Sequence, residues 1–162
     1  MWLPIQDFPI YEISNEGVVA NIDTGRRLTP TYNQKGLLMV GLMRGGVQYK
    51  RQLDLLVART FLAPHENENF TSLIHLDGDQ GNVAEDNLMW RPRWFRIAFH
   101  DELRSPDFHQ WTAPFYVEQT GEVFNNPYEA ASTLGVLPHS VYKSLINQVP
   151  VWPDYYRFAF VD

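Results

Sequence analysis

The stretch that most constrains this chain runs from Ile74 to Arg96. An apolar strand ends in His75, and Asp77-Gly78 directly after it makes a tight turn. Asn82 sits in the loop that follows. Asn87-Leu88-Met89-Trp90 then leads into a predicted helix carrying Arg91, Arg93 and Arg96.

The flanking sequence reads as short strands and helices in alternation. Trp2-Leu3-Pro4 and Tyr11 to Val19 predict two strands, with Asn15 and Gly17 at a turn. Leu37–Leu42 and Gln48–Leu53 predict a hairpin around Gly45-Gly46. Apolar residues at Leu53, Leu55, Leu56, Val57, Phe61 and Leu62 predict a helix with one broad buried face, ended by Pro64. A Pro- and aromatic-rich connector spans 105–113. Beyond it Phe115–Gln119 and Gly121–Phe124 read as a hairpin. A helix over Tyr128–Leu134 closes at Gly135, a second helix opens at Pro138, and Tyr155–Phe160 reads as a last strand.

Composition removes several classes of function. With 44% hydrophobic and 14% aromatic residues in 162, the chain is expected to fold. It has no cysteine, so a disulfide framework and a thiolate zinc site are both excluded. Met1–Ile10 contains Asp7 and two prolines and has no basic start, so no signal peptide is expected, and no apolar run suggests a membrane span. The net charge of −6 argues against uniform coverage of a polyanion. Its distribution is uneven. Residues 1–60 hold seven Lys/Arg against five Asp/Glu, whereas 61–111 hold four against nine and 112–162 two against five. Arg26, Arg27, Lys35, Arg44, Lys50 and Arg51 fall on or near the predicted N-terminal turns. They serve either as charges that keep a sheet edge soluble or as phosphate contacts.

The order of these features resembles the HNH homing endonucleases of bacteriophages. Ile74-His75-Leu76-Asp77-Gly78-Asp79 with Asn87-Leu88-Met89-Trp90 is similar to the family's ββα-metal finger. Trp2…Ile5 and Tyr11…Ser14-Asn15…Gly17…Val19 resemble its N-terminal module. Leu53-Asp54-Leu55-Leu56-Val57-Ala58-Arg59-Thr60-Phe61 keeps the frame of the family's helix, with Asp54-Leu55 where a His-Arg pair is usual. Glu129-Ala130-Ala131-Ser132-Thr133-Leu134-Gly135 and Tyr156-Arg157-Phe158 resemble its C-terminal helix-turn-helix repeat.

The resemblance implies an α+β chain in three parts. These are an N-terminal β-rich module over 1–52, an HNH-like finger over 53–104, and a helix-turn-helix module with a small antiparallel sheet over 114–162. It also implies a chemistry in which a histidine base activates water and a divalent cation stabilises the phosphorane and leaving oxygen. His75 takes the base position and Asn87 the position that orients its ring. The expected metal-ligand positions fall on Ile74, which has no donor atom, and near Arg96, which offers only donors and positive charge. Asp79 and His100 are the candidate substitutes. Mg or Mn is implied only if the site is active.

Three readings follow. One is a duplex-DNA-binding member with weak or lost cleavage. Another is a repurposed fold that binds a phage or host protein. The third is an active nicking enzyme with a displaced metal site. Candidate nucleic-acid contacts are the six cations above, Arg91, Arg93 and Arg96 after the finger, and His139, Lys143 and Asn147 on the second C-terminal helix. His75 also has a structural reading, bonding the turn with Asn87 as partner. A phage-encoded protein would reside in the host cytoplasm or the virion.

Overall fold

Turn formers set between β-branched and aromatic residues give the first half of the chain its antiparallel sheets. In the computed structural model, which describes residues 1–162, the chain divides into two compact units, Met1–Pro92 and Arg93–Asp162. The stretch 53–104 is thus shared between them. No helix is long and apolar enough to cross a membrane.

The first unit opens with strands β1 (Trp2–Ile5), β2 (Phe8–Ser14) and β3 (Val19–Asn21), paired in that order. The β2–β3 turn is built locally, since the Ser14 hydroxyl accepts the backbone N–H groups of Glu16 and Val18 at 3.3 and 3.0 Å. Gly17 is required there on two counts. Its φ is +90°, and a Cβ would lie 2.4 Å from Cγ2 of Val83. A backbone bond from Glu85 N–H to Asn15 C=O, 2.8 Å, ties this turn to the loop around the histidine.

Strands β4 (Thr31–Tyr32), β5 (Leu38–Arg44) and β6 (Val47–Gln52) form a second sheet in that order. The β5–β6 register runs from Met39↔Gln52 to Arg44↔Val47, so the turn falls at Gly45-Gly46 as the sequence predicts. Alternation along β5 buries Val40 and Leu42. Helix α1 (Leu53–Phe61) follows without a loop, and strands β7 (Ser72–His75) and β8 (Leu88–Arg91) pair antiparallel after it. Ile13, Leu42, Val57 and Leu73, each fully buried, share one core. Full burial of each such side chain stabilises by roughly 1.5–3 kcal/mol.

The second unit holds helix α2 (Arg93–Arg104), strands β9 (Phe115–Val117) and β10 (Val123–Phe124), helices α3 (Pro127–Leu134) and α4 (Pro138–Asn147), and strand β11 (Phe158–Phe160). Its sheet order is β10-β9-β11. The Asn126 side chain caps α3 by accepting Glu129 N–H at 2.9 Å, with Pro127 in the first turn. Gly135 ends that helix in the left-handed region at φ 69°, as expected. The Ser144 hydroxyl accepts Phe158 N–H at 3.1 Å, which fastens α4 to β11 over a core of Phe115, Phe124, Val141 and Phe158.

The architecture is α+β, with small antiparallel sheets and four helices, as the sequence predicts. One expectation is corrected. Asn87-Leu88 does not lead directly into a helix: Leu88–Arg91 is a strand paired with β7, and the helix starts at Arg93. Pro92 is the reason, because it disfavours helical backbone at the residue before it.

Candidate functional site

The histidine loop begins where β7 ends. Leu73, Ile74 and His75 are all 0% exposed, so both faces of this strand are covered. Ile74 lies opposite Met89 and His75 opposite Leu88. The turn closes with Gly78 N–H donating to His75 C=O at 2.7 Å and Leu76 N–H to Asn87 C=O at 2.9 Å.

Asn87 organises this turn through its side chain. Its Oδ1 accepts Asp77 N–H at 3.0 Å, and its Nδ2 donates to Asp77 Oδ1 at 3.0 Å and to Asn82 C=O at 2.8 Å. Asn82 Nδ2 donates to Asp77 Oδ2 at 2.8 Å, and Asp79 N–H to Asp77 Oδ1 at 2.8 Å. Partial burial pushes the Asp77 carboxyl up. The bonds from Asn82, the Asp79 backbone and Asn87 outweigh it and hold the carboxyl below its ordinary range. Asp79 is likewise occupied, with Oδ1 accepting Gly81 N–H at 2.8 Å. The loop carboxylates hold the loop.

His75 has a neighbour that the sequence did not suggest. Its Nε2 lies 3.5 Å from Oδ2 of Asp54, itself 3% exposed in the first turn of α1. The other Asp54 oxygen accepts Leu55 N–H at 2.7 Å. The pair therefore joins α1 to β7 inside the core. The available signal was an acidic residue set in the apolar face of Leu53, Leu56 and Val57.

These residues do not fit a divalent cation. Ile74 brings no donor atom, and Arg96, half-buried on α2, brings only donors. Asp79 already accepts Gly81 N–H on one oxygen, and His100 is buried in the other unit with its ring edge-on to Phe99. No group of three or more His, Asp or Glu side chains is arranged to hold a metal ion.

The predicted cations fall into distinct surroundings. Arg26, Arg27 and Lys35 are exposed on turns of the first unit, with the Arg27 guanidinium 5.7 Å from the Trp2 ring. Arg44, Lys50 and Arg51 all lie on the β5–β6 hairpin, Arg44 and Arg51 on one face and Lys50 on the other. The Arg44 guanidinium lies 5.0 and 4.7 Å from the Phe8 and Tyr49 rings, and that of Arg51 lies 5.5 and 5.3 Å from the same two. Aromatic faces order both without neutralising either. Arg91 is 3% exposed on β8, its guanidinium donating to Trp90 C=O at 2.8 Å, and so does not reach the surface. Arg93 is exposed at the start of α2.

On α4, Lys143 and Asn147 are exposed, but His139 is engaged on both sides of its ring. Its Nδ1 lies 2.8 Å from Glu102 Oε1 and its Nε2 2.7 Å from Asp107 Oδ2. Partial burial lowers the His139 pKa, but hydrogen bonds and charge from Asp107 and Glu102 raise it further, above its ordinary value. The hydrogen bond from His139, then that from Ser105, holds the Asp107 carboxyl below its own.

Comparison with known proteins agrees with this architecture. Residues 1–43 match the NUMOD4 motif. The chain is 33% identical over 89 residues to an uncharacterized HNH endonuclease, L247, of Acanthamoeba polyphaga mimivirus, covering 54% of this chain and 22% of that protein. It is 32% identical over 80 residues to DNA endonuclease I-HmuI of Bacillus phage SP01, covering 49% of this chain and 45% of that one. The aligned stretches thus span less than half the length of these relatives. The fold matches a solved structure described as DNA binding and cleavage by the HNH homing endonuclease I-HmuI. The TM-score is 0.54, with 21% identity over 99% of this chain and 98% of that one. Motif, relatives and fold agree: over about half its length the chain is similar in sequence to HNH endonucleases, and it shares the fold of an HNH homing endonuclease.

Proposed function

We propose that this protein binds duplex DNA and that its capacity to cleave a phosphodiester is weak or lost. The observation that carries this reading is position 74–75: a fully buried isoleucine precedes a fully buried histidine that faces Asp54 instead of solvent. A general base must come within hydrogen-bond reach of the proton it removes. A base with 0% exposure is closed to bulk solvent, and the preceding residue offers a cation no ligand.

The binding half of the reading rests on Arg44, Lys50 and Arg51, whose charges stay available on an exposed hairpin. Lys143 and Asn147 extend the reading to α4, with 1–52, 53–104 and 114–162 as its three modules. Such a protein would work in an infected host's cytoplasm, with virion packaging as the alternative. The test titrates the full chain onto a duplex at low salt while the same plasmid is scored for nicks with Mg or Mn. Salt-sensitive binding without nicking is expected. Nicking that disappears in His75→Ala would establish an active enzyme with a displaced site and overturn the reading.

A second reading, a protein-binding repurposed fold, draws on unit two. There Trp94, Ile97 and Ile146 are 58%, 57% and 54% exposed. Failure to bind DNA at any salt concentration, together with loss of a protein contact in Trp94→Ala, would favour it.

A further inference from the structure

A cleft of about 390 Å³ lies between the β1–β2 hairpin, β6 and α1, and two guanidiniums line it. Arg51 enters from β6, half-buried, and Arg59 from the last turn of α1, exposed. Neither is paired with a carboxylate; Arg51 spends one N–H on the Lys50 carbonyl. Asp7 is the one acidic residue among the lining groups, so the cleft carries a net positive charge. The exposed Gln6 amide adds uncharged donors. The Thr60 hydroxyl adds none, because its proton goes to Leu56 C=O at 2.7 Å.

Two planar forks of N–H donors in one concave site suit a tetrahedral oxyanion, which accepts bidentate bonds from each. A cleft lined by one sign of charge also focuses its field on an incoming ion. Arg51 reaches this cleft from the hairpin face that also carries Arg44, both against Phe8 and Tyr49, so an anion bound here would lie beside that pair of charges.

We infer that this cleft holds a backbone phosphate of bound DNA, with Arg59 as its second guanidinium. The inference rests on the DNA-binding reading and adds to it a contact from α1, outside the sheets. The alternative role of Arg59 is local, a cation stabilising the carbonyl end of its own helix.

The experiment measures binding of the full chain to a mixed-sequence duplex across a salt series, for wild type, Arg59→Gln, Arg59→Lys and, in the second unit, Arg104→Gln. Inorganic phosphate is titrated in parallel. Arg59→Gln is expected to flatten the slope of log K against log salt by about one unit, so that affinity falls about fourfold less between roughly 50 and 200 mM salt. Arg59→Lys should keep most of the slope, and Arg104→Gln all of it. An unchanged slope in Arg59→Gln would overturn the inference while leaving DNA binding intact, and a lowered Tm with that unchanged slope would assign Arg59 to its helix end. Arg59-dependent capture of inorganic phosphate without any change in duplex slope would also overturn it, by making free phosphate the ligand. Absence of duplex binding by wild type would instead remove the reading on which the inference stands.

Discussion

The two compact units treat their cations in opposite ways. In the first, Arg44 and Arg51 rest against the rings of Phe8 and Tyr49 and keep their charge. In the second, His139 of α4 is held between Glu102 and Asp107 at 2.8 and 2.7 Å. Counting basic residues would score both as DNA contacts. Their neighbours separate them: an aromatic face orders a cation and leaves it free for phosphate, whereas a carboxylate consumes it.

The buried pair in the first unit supplies the largest expected effect. Asp54→Ala leaves His75 in the core without its carboxylate and should cost about 3 kcal/mol in urea unfolding. Asp54→Ala with His75→Ala should cost less than the sum of the single variants, because the two residues interact. A single-variant cost under about 0.5 kcal/mol, the range of ordinary surface changes, would mean that the pair does not anchor α1 to β7.

Next comes the aromatic-ordered cation pair. Arg44→Ala with Arg51→Ala should weaken low-salt duplex binding by roughly tenfold or more and flatten the salt slope by about two units. His139→Gln should leave that slope unchanged. If His139→Gln flattened it and the arginine pair did not, the contrast between the units would be reversed.

The smallest effect is the pH response of the His139 clasp. The His139 pKa is raised above its ordinary 6.5, so its contribution is complete below that value and fades as pH rises through the folded-state value. Asp107 is lowered from its ordinary 3.8, so its contribution is present above that value and fades as pH falls through the folded-state value. The clasp is therefore strongest between about pH 4 and 6.5. His139 and Asp107 are 38% and 57% exposed, so solvent screening limits the gain to a few degrees in Tm at most. His139→Gln should flatten Tm against pH above 6.5, and an unaltered profile there would leave the clasp without energetic weight.

Much of the fold was legible because its signals are local. The Gly45-Gly46 turn, the Gly135 helix end and the start of α4 at Pro138 each depend on residues adjacent in sequence. Arg91 was legible in principle, since Pro92 demands extended backbone before it. That Ile74 has no donor atom and Arg96 only donors was legible from residue type alone. The pairings were not legible. Asp54 meets His75 across 21 positions and Glu102 meets His139 across 37, and no local pattern encodes either. Arg59 gave no signal because a cleft built from a hairpin, a strand and a helix exists only after folding.

On the proposed reading, a buried His75 beside Ile74, which offers no ligand atom, leaves a protein that holds DNA without cutting it. The most direct test is to saturate a supercoiled plasmid with the protein, add Mg or Mn, remove the protein and measure relaxed circles over time. The account predicts a plasmid that is fully bound and still supercoiled. Relaxed circles that accumulate with wild type and not with His75→Ala would contradict it.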